Sequence, residues 1–427
     1  MRREIYADHA ATTAPAPEVV EAMLPYLGEG FGNASSVHRR GEAAREAIEA
    51  ARAGVAALVG ASPEEIVFTA SGSESNNLAL KGALPGAPEG RRRLVVSAIE
   101  HPSVLETARH LEDRGVPVTI VPVERSGVVD PERLKGALGP DVALVSVMWV
   151  NNEVGTIQSI AEIAELAHAA GARLHCDAVQ AVGKLPVDVG EAGVDLLSLA
   201  GHKFQGPPGA GALYVRRRVR LVPLVHGGHQ ERSRRAGTEN LAAIVGLGAA
   251  AERARARLAS GATEALAALG ERLRAGLTRR IPASRLNGDP ERRLRTIVNL
   301  CFTGVDGEAV LHELDLQGIT VSTGSACSAA SPGPSHVLIA MGLRPEEAHA
   351  SVRFSLGEGI GEDDIDTILT VTPPVVERLR ALGGREAPSP AETAAGAGDR
   401  ATVGSPASRG RAVGHQRTRV ARRGELS

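Results

Sequence analysis

The chain has 427 residues, 48 of them Lys or Arg against 50 Asp or Glu, for a formal charge of −2. That balance argues against a whole-chain nucleic-acid or membrane binder, which carries a basic excess, and toward small-molecule or protein partners. The 43% hydrophobic fraction with 23% charged residues excludes disorder over most of the length and suits two domains with sizeable cores.

Aromatic residues make up only 2%, so the cores must be built from Val, Leu, Ile and Ala. Residues 1–14 carry Asp8 and His9 and lack a long apolar run, so no secretory signal is expected. No stretch approaches the roughly 20 apolar residues that cross a bilayer. The three cysteines, Cys176, Cys301 and Cys327, lie far apart without a CxxC pair. This spacing excludes a disulfide framework and a Cys-rich zinc site. A soluble, cytoplasmic protein with no metal site and no membrane or direct nucleic-acid contact is expected.

In chain order, small and apolar residues at helical spacing (Ala44, Ala47, Ile48, Ala51, Val55, Leu58) predict a helix over Glu42–Val59. Short apolar runs follow at Ile66–Thr69, Leu94–Ser97, Val118–Val121, Val142–Val147, Arg173–Cys176, Leu196–Leu199 and Ala212–Val215. Helical stretches such as Glu162–Ala170 separate several of them, which predicts an α/β fold with a mostly parallel sheet. Such a sheet presents ligands beyond the carboxyl ends of its strands. From Leu241 to about Ile281 the chain is Ala-, Glu- and Arg-rich without Pro, so a long helix or helix pair should lead away from the sheet. A smaller α+β unit is expected next: a strand at Thr296–Phe302, a helix near Gly307–Gln317, a loop over Ser322–Pro334 and a strand holding Arg353. The expected boundaries are 15–260 for the large part, 1–14 with 261–384 for the small part, and 385–427 for a disordered, basic tail. From Glu386 onward there is no Phe, Tyr, Trp, Ile or Met to offset the entropy of ordering.

Three strand ends carry the suggestive chemistry. Lys203 lies just past a strand among His202 and several glycines, which suits an amine in a ligand pocket or a solvated loop lysine. Asp177 ends its strand in His175-Cys176-Asp177-Ala178-Val179-Gln180, where a carboxylate serves as a helix N-cap or as the partner of a ring nitrogen. Strand alternation puts Cys176 on the opposite face from His175 and Asp177. The Gly/Ser turn Ser71-Gly72-Ser73 opens a helix, and the free N–H groups and dipole there favour an anion such as phosphate.

These motifs and others resemble, jointly and in order, the cysteine desulfurases, pyridoxal-phosphate enzymes of fold type I in the aminotransferase class V group. The likeness runs from Ile5 to about Leu382. It is carried by Asp8-His9-Ala10-Ala11-Thr12-Thr13, Phe31-Gly32-Asn33, Glu100-His101 and Val150-Asn151-Asn152-Glu153-Val154-Gly155. Further along it is carried by the Asp177 and Lys203 segments, Arg235-Ala236-Gly237-Thr238-Glu239-Asn240, Gly324-Ser325-Ala326-Cys327 and Val352-Arg353-Phe354-Ser355-Leu356-Gly357.

The resemblance implies that Lys203 holds pyridoxal 5'-phosphate as a Schiff base and moves protons, with a lowered pKa. Asp177 would pair with the ring nitrogen, Gln180 would bond the ring hydroxyl, and His101 would stack on the ring and assist proton transfer. Gly72, Ser73 and His202 would hold the phosphate, with Thr238 reaching in from the second subunit of a homodimer. Many relatives have serine where this chain has Ala200, which should weaken cofactor affinity at most. Asn152 and Arg353 would bind the carboxylate of the substrate, L-cysteine.

Cys327 matches the family's nucleophile. Its surroundings, Ser322–Pro334, contain nothing larger than Thr apart from prolines, as a mobile sulfur carrier needs. The implied reaction gives L-alanine and a persulfide on Cys327 for a sulfur acceptor, such as an iron-sulfur scaffold (with transient cluster ligation by Cys327) or a tRNA-thiolating enzyme. A selenocysteine lyase and an ordinary aminotransferase share the fold and cofactor and are the alternatives.

Overall fold

The computed structural model describes residues 4–323 and 333–383. Strands β1 (Ile5–Tyr6) through β8 follow in chain order: β2 (Ile66–Thr69), β3 (Arg93–Ser97), β4 (Val118–Val121), β5 (Val142–Ser146), β6 (Arg173–Asp177), β7 (Leu196–Ala200) and β8 (Gly211–Val215). Strands β2 to β8 form a seven-stranded sheet in the order β2-β8-β7-β6-β5-β3-β4. The run from β7 to β4 is parallel, while β8 is antiparallel to both its neighbours. The parallel strands are near-continuous Val/Leu/Ile runs because helices cover both faces. Val145, Leu174, Cys176, Leu197 and Leu199 face one apolar core; Leu94, Val96, Leu144 and Leu196 face the other.

The region from Leu241 is a helix pair, Leu241–Ala259 and Ala262–Arg280, broken at Gly261 with φ 72°. Only the second helix leaves the sheet. Ala243, Ile244, Leu247 and Ala250 of the first pack into the same core as Ala44, Ile48, Ala51 and Val55 of the helix Arg39–Leu58. Close approach explains the small residues: a Cβ at Gly248 would lie 2.7 Å from that of Ala51. Leu273 and Leu277 of the second helix join a separate core with Val298, Leu300, Phe302, Val352 and Phe354. Those last residues belong to an antiparallel three-stranded sheet, β9 (Ser284–Leu286), β10 (Ile297–Phe302) and β12 (Ser351–Ser355), in the order β12-β10-β9. The helices Gly307–Leu316 and Glu362–Leu382 cover it.

The first residues tie the two sheets together. β1 pairs in parallel with β11 (Ile319–Thr320), and the chain then runs beside β12, with Ser355 N donating to Ala7 O at 2.7 Å. Ile5 and Ala7 lie in the core of the small sheet, and Ala10 lies in that of the large one. No helix among the described residues is long and apolar enough to cross a membrane. No group of three or more His, Cys, Asp or Glu residues among them is placed to hold a metal.

Candidate active site

At the carboxyl ends of β6 and β7 lies a cavity of about 270 Å³. Gly72, Ser73, His101, Asn152, Asp177, Gln180, His202, Lys203 and Arg353 all line it, with Ala200 beside Gly72. Two candidates are not among these lining residues. Thr238 is exposed and outside the cavity, and Cys327 lies outside the described residues.

The strand ends explain the convergence. Asp177 is the last residue of β6, and its Oδ1 accepts from Val179 N at 3.0 Å, closing the turn that brings Gln180 round. Its Oδ2 accepts from Asn76 Nδ2 at 2.7 Å. The carboxylate therefore keeps its acceptor role and lone pairs for a ring N–H. Gln180 Nε2 donates to Ala10 O at 2.8 Å, while its Oε1 accepts from Lys184 Nζ at 2.5 Å. Burial, with Lys203 and Arg353 nearby, pushes the Lys184 amine down to about 7.

Lys203 closes a short turn after β7, and its Nζ donates to Ala10 O at 2.8 Å and Ala11 O at 2.6 Å. The N-terminal segment thus shapes the floor on which the amine rests. Burial, reinforced by Lys203 and Lys184, holds His202 down at about 4, so this ring is neutral at ordinary pH. Its Nδ1 lies 3.0 Å from Thr12 Oγ1.

Ser71 caps the helix Gly72–Ala83, its Oγ accepting from Glu74 N at 3.1 Å. The first N–H groups of this helix, at the cavity wall, have no partner within the helix. A Cβ at Gly72 would lie 2.7 Å from Val179 Cγ2 and 3.4 Å from Ala200 Cβ, so only glycine keeps this cradle open.

Arg353 reaches in from β12. Its Nη2 bonds Asp8 Oδ1 at 2.6 Å and its Nη1 donates to the Asn152 carbonyl at 2.8 Å. Its Nε is buried without a partner among the described residues. A buried guanidinium with an unused donor beside a cavity is suited to a carboxylate.

Cys176 is buried in the apolar core of the large sheet and Cys301 is buried on β10, and burial raises both thiols, Cys176 strongly. Neither is a nucleophile at neutral pH.

Asp8, Asn76, Ser103 and the carbonyls of Ala10 and Ala11 carried no assignment in the sequence. Asn76 had one usable signal: it lies four residues past Gly72 and so on the same helix face. The backbone carbonyls had none.

A family model for aminotransferase class-V matches residues 5–368. The cysteine desulfurase IscS of Methanosarcina thermophila is 47% identical over 378 residues, covering 88% of this chain and 93% of that protein. The chain belongs to the cysteine desulfurase family. Among solved structures, a NifS-like protein matches with a TM-score of 0.81 at 35% identity, covering 88% of this chain and 99% of that one. A second, SspA in complex with cysteine, matches at 0.73 and 38%, covering 82% and 98%. The fold is that of the fold type I pyridoxal-phosphate proteins.

The family depends on pyridoxal phosphate, and the donor set here fits that group. The glycine-only cradle at a helix N-terminus suits its phosphate. The half-satisfied carboxylate of Asp177 suits its ring nitrogen, and Lys203 suits its aldehyde.

Proposed function

We propose that this protein uses pyridoxal phosphate to convert L-cysteine to L-alanine, keeping the sulfur as a persulfide on Cys327. The observation that carries the reading is one cavity lined by Lys203, Asp177, Gln180, His101, the Gly72 cradle and Arg353. The bound cofactor would supply an electron sink for negative charge at the substrate α-carbon. Lys203 Nζ would hold it covalently and, once displaced by substrate, would take and return the α-proton. Asp177 would keep the ring nitrogen protonated, and the free Nε2 hydrogen of Gln180 would reach the ring hydroxyl. Gly72, Ser73 and His202 would hold the phosphate, completed by the partner subunit's Thr238 in a homodimer. Arg353 and Asn152 would orient the substrate carboxylate.

The Cys327 thiolate then forms an S–S bond to the substrate sulfur as the substrate C–S bond breaks. A proton delivered to the β-carbon completes alanine. The persulfide passes to a cytoplasmic acceptor such as an iron-sulfur scaffold. The separate apolar cores support reading 15–260 as a large part and 1–14 with 261–384 as a small one, with Ala10, Leu294 and Ile297 of the small part packing into the large core.

Cys327→Ala tests the reading. The variant should keep the yellow colour of the bound cofactor and release no sulfide from L-cysteine. Undiminished sulfide release would overturn the role of this thiol.

A further inference from the structure

Asn76 and Ser103 line the cavity and have no part in the reaction just described. They join Asp177, which does, to His101, which shares the cavity wall. Asn76 Nδ2 has two hydrogens: one bonds Asp177 Oδ2 at 2.7 Å and the other bonds Ser103 Oγ at 2.9 Å. A reversed amide would aim Oδ1 at an anionic oxygen, so Asp177 sets the amide's orientation. The buried Asn76 Oδ1 accordingly lacks a partner among the described residues.

Ser103 Oγ, having accepted from Asn76, lies 2.8 Å from His101 Nδ1, and the Ser103 backbone N–H donates to the same nitrogen at 3.1 Å. An amide N–H only donates, so Nδ1 is an acceptor and the proton of the neutral ring sits on Nε2. A second proton would have to enter on Nδ1, against that N–H. His101 also caps the helix Pro102–Glu112, whose positive end disfavours a cation there. Of the other groups facing the ring, Lys203 and His336 disfavour a cation and Asp177 favours one. Burial outweighs them all and lowers the pKa.

We propose that Ser103, oriented through Asn76 by Asp177, locks His101 as the neutral Nε2–H tautomer. His101 then serves the reaction as a hydrogen-bond donor and neutral ring, not as a base or an imidazolium acid at neutral pH. Ser103 and Asn76 are positioning residues. Their importance to turnover rests on the desulfurase reading, whereas the tautomer does not.

The test is nitrogen NMR of the holoenzyme labelled with ¹⁵N-histidine, with His101 assigned by its loss in His101→Gln. The expected spectrum at neutral pH has an unprotonated Nδ1 and a protonated Nε2, unchanged on acidification through the ordinary histidine range of about 6.5. A protonated Nδ1, or titration in that range, overturns the proposal.

Ser103→Ala removes one donor to Nδ1 and leaves the backbone donor. It should shift the Nδ1 signal, move the onset of titration to higher pH and lower kcat about 3- to 10-fold with KM nearly unchanged, the loss of one neutral hydrogen bond. Ser103→Thr should restore all three. A Ser103→Ala spectrum identical to the parent's overturns the positioning role, whatever happens to kcat. If the tautomer is as stated but no sulfide is released from cysteine, the functional reading fails and this one stands.

Discussion

The cavity wall formed by the seven-stranded sheet is assembled from turns at strand ends, whereas the opposite wall pairs Arg353 with Asp8, 345 residues away in the chain. On the first wall two groups have a local hold, Asp177 from Val179 N, two residues on, and His101 from Ser103 N, again two residues on, although Lys203 and Gln180 lean on the distant Ala10 carbonyl. On the second, β12 supplies the guanidinium and the N-terminal segment supplies its carboxylate partner. The first wall owes its shape to a few dipeptide steps. The second exists only once the small sheet and the chain start have docked beside the large sheet.

The largest effect should come from the local wall. Lys203→Ala should abolish the visible absorption band of the cofactor and lower desulfuration by about a thousandfold or more, as loss of a covalent catalytic group does. A retained band would place the attachment on another lysine. For the composite wall, Arg353→Lys removes the planar fork while keeping the charge. It should raise KM for L-cysteine about 10- to 100-fold, from loss of a charge-assisted hydrogen bond of about 1.5–3 kcal/mol. A KM within twofold of the parent would show that this wall does not bind the carboxylate.

Gly72→Ala probes the cradle with a single methyl. Its Cβ would stand 2.7 Å from Val179 Cγ2, and the strain of such overpacking is about 1–3 kcal/mol. Cofactor affinity, followed by fluorescence titration, should fall about 10-fold; unchanged affinity would remove the cradle from the phosphate site.

The smallest effect concerns Glu100, fully buried behind the local wall. Its Oε1 accepts from Met148 N at 2.8 Å and from Ser97 Oγ, and burial raises its carboxyl to about 8. The folded state therefore keeps this proton above the pH at which the unfolded chain releases it. The associated stability is complete below the unfolded value of about 4.3 and is lost as pH rises through about 8. Glu100→Gln cannot ionise, so its melting temperature should fall less than the parent's between neutral and mildly alkaline pH. A gap of about 1–2 °C should open. A parallel decline in both proteins would mean that Glu100 is already ionised at neutral pH.

Two histidines show the limit of strand-end reading. His175 and His101 both accompany strands of the same sheet. His175 is fully buried, its Nδ1 2.8 Å from Ser146 Oγ and its Nε2 3.0 Å from Ser198 Oγ, and burial lowers it to about 3. It bridges neighbouring strands and does not line the cavity, which His101 does. His175 lies within β6 and His101 four residues past β3, and the register Ser146↔His175 with the order β5-β6-β7 gives His175 its two serine partners.

The amino-acid order by itself determined the seven strands of the large sheet and the helices near Arg39–Leu58, Ile160–Ala169 and Gly307–Leu316, because apolar periodicity and Gly/Ser turns act over a few residues. It also determined Lys203, Asp177 and Gly72 as strand-end candidates, and their joint order carried the family likeness. Only the tertiary structure decided that the helix after Leu241 packs on the large sheet, that Asp8 engages Arg353, and that Asn76 links Asp177 to His101. These contacts join residues 101 or more positions apart or depend on which face of a helix meets which core. Local sequence does not record such pairings; folding selects them through the burial of apolar faces that brings the polar groups together.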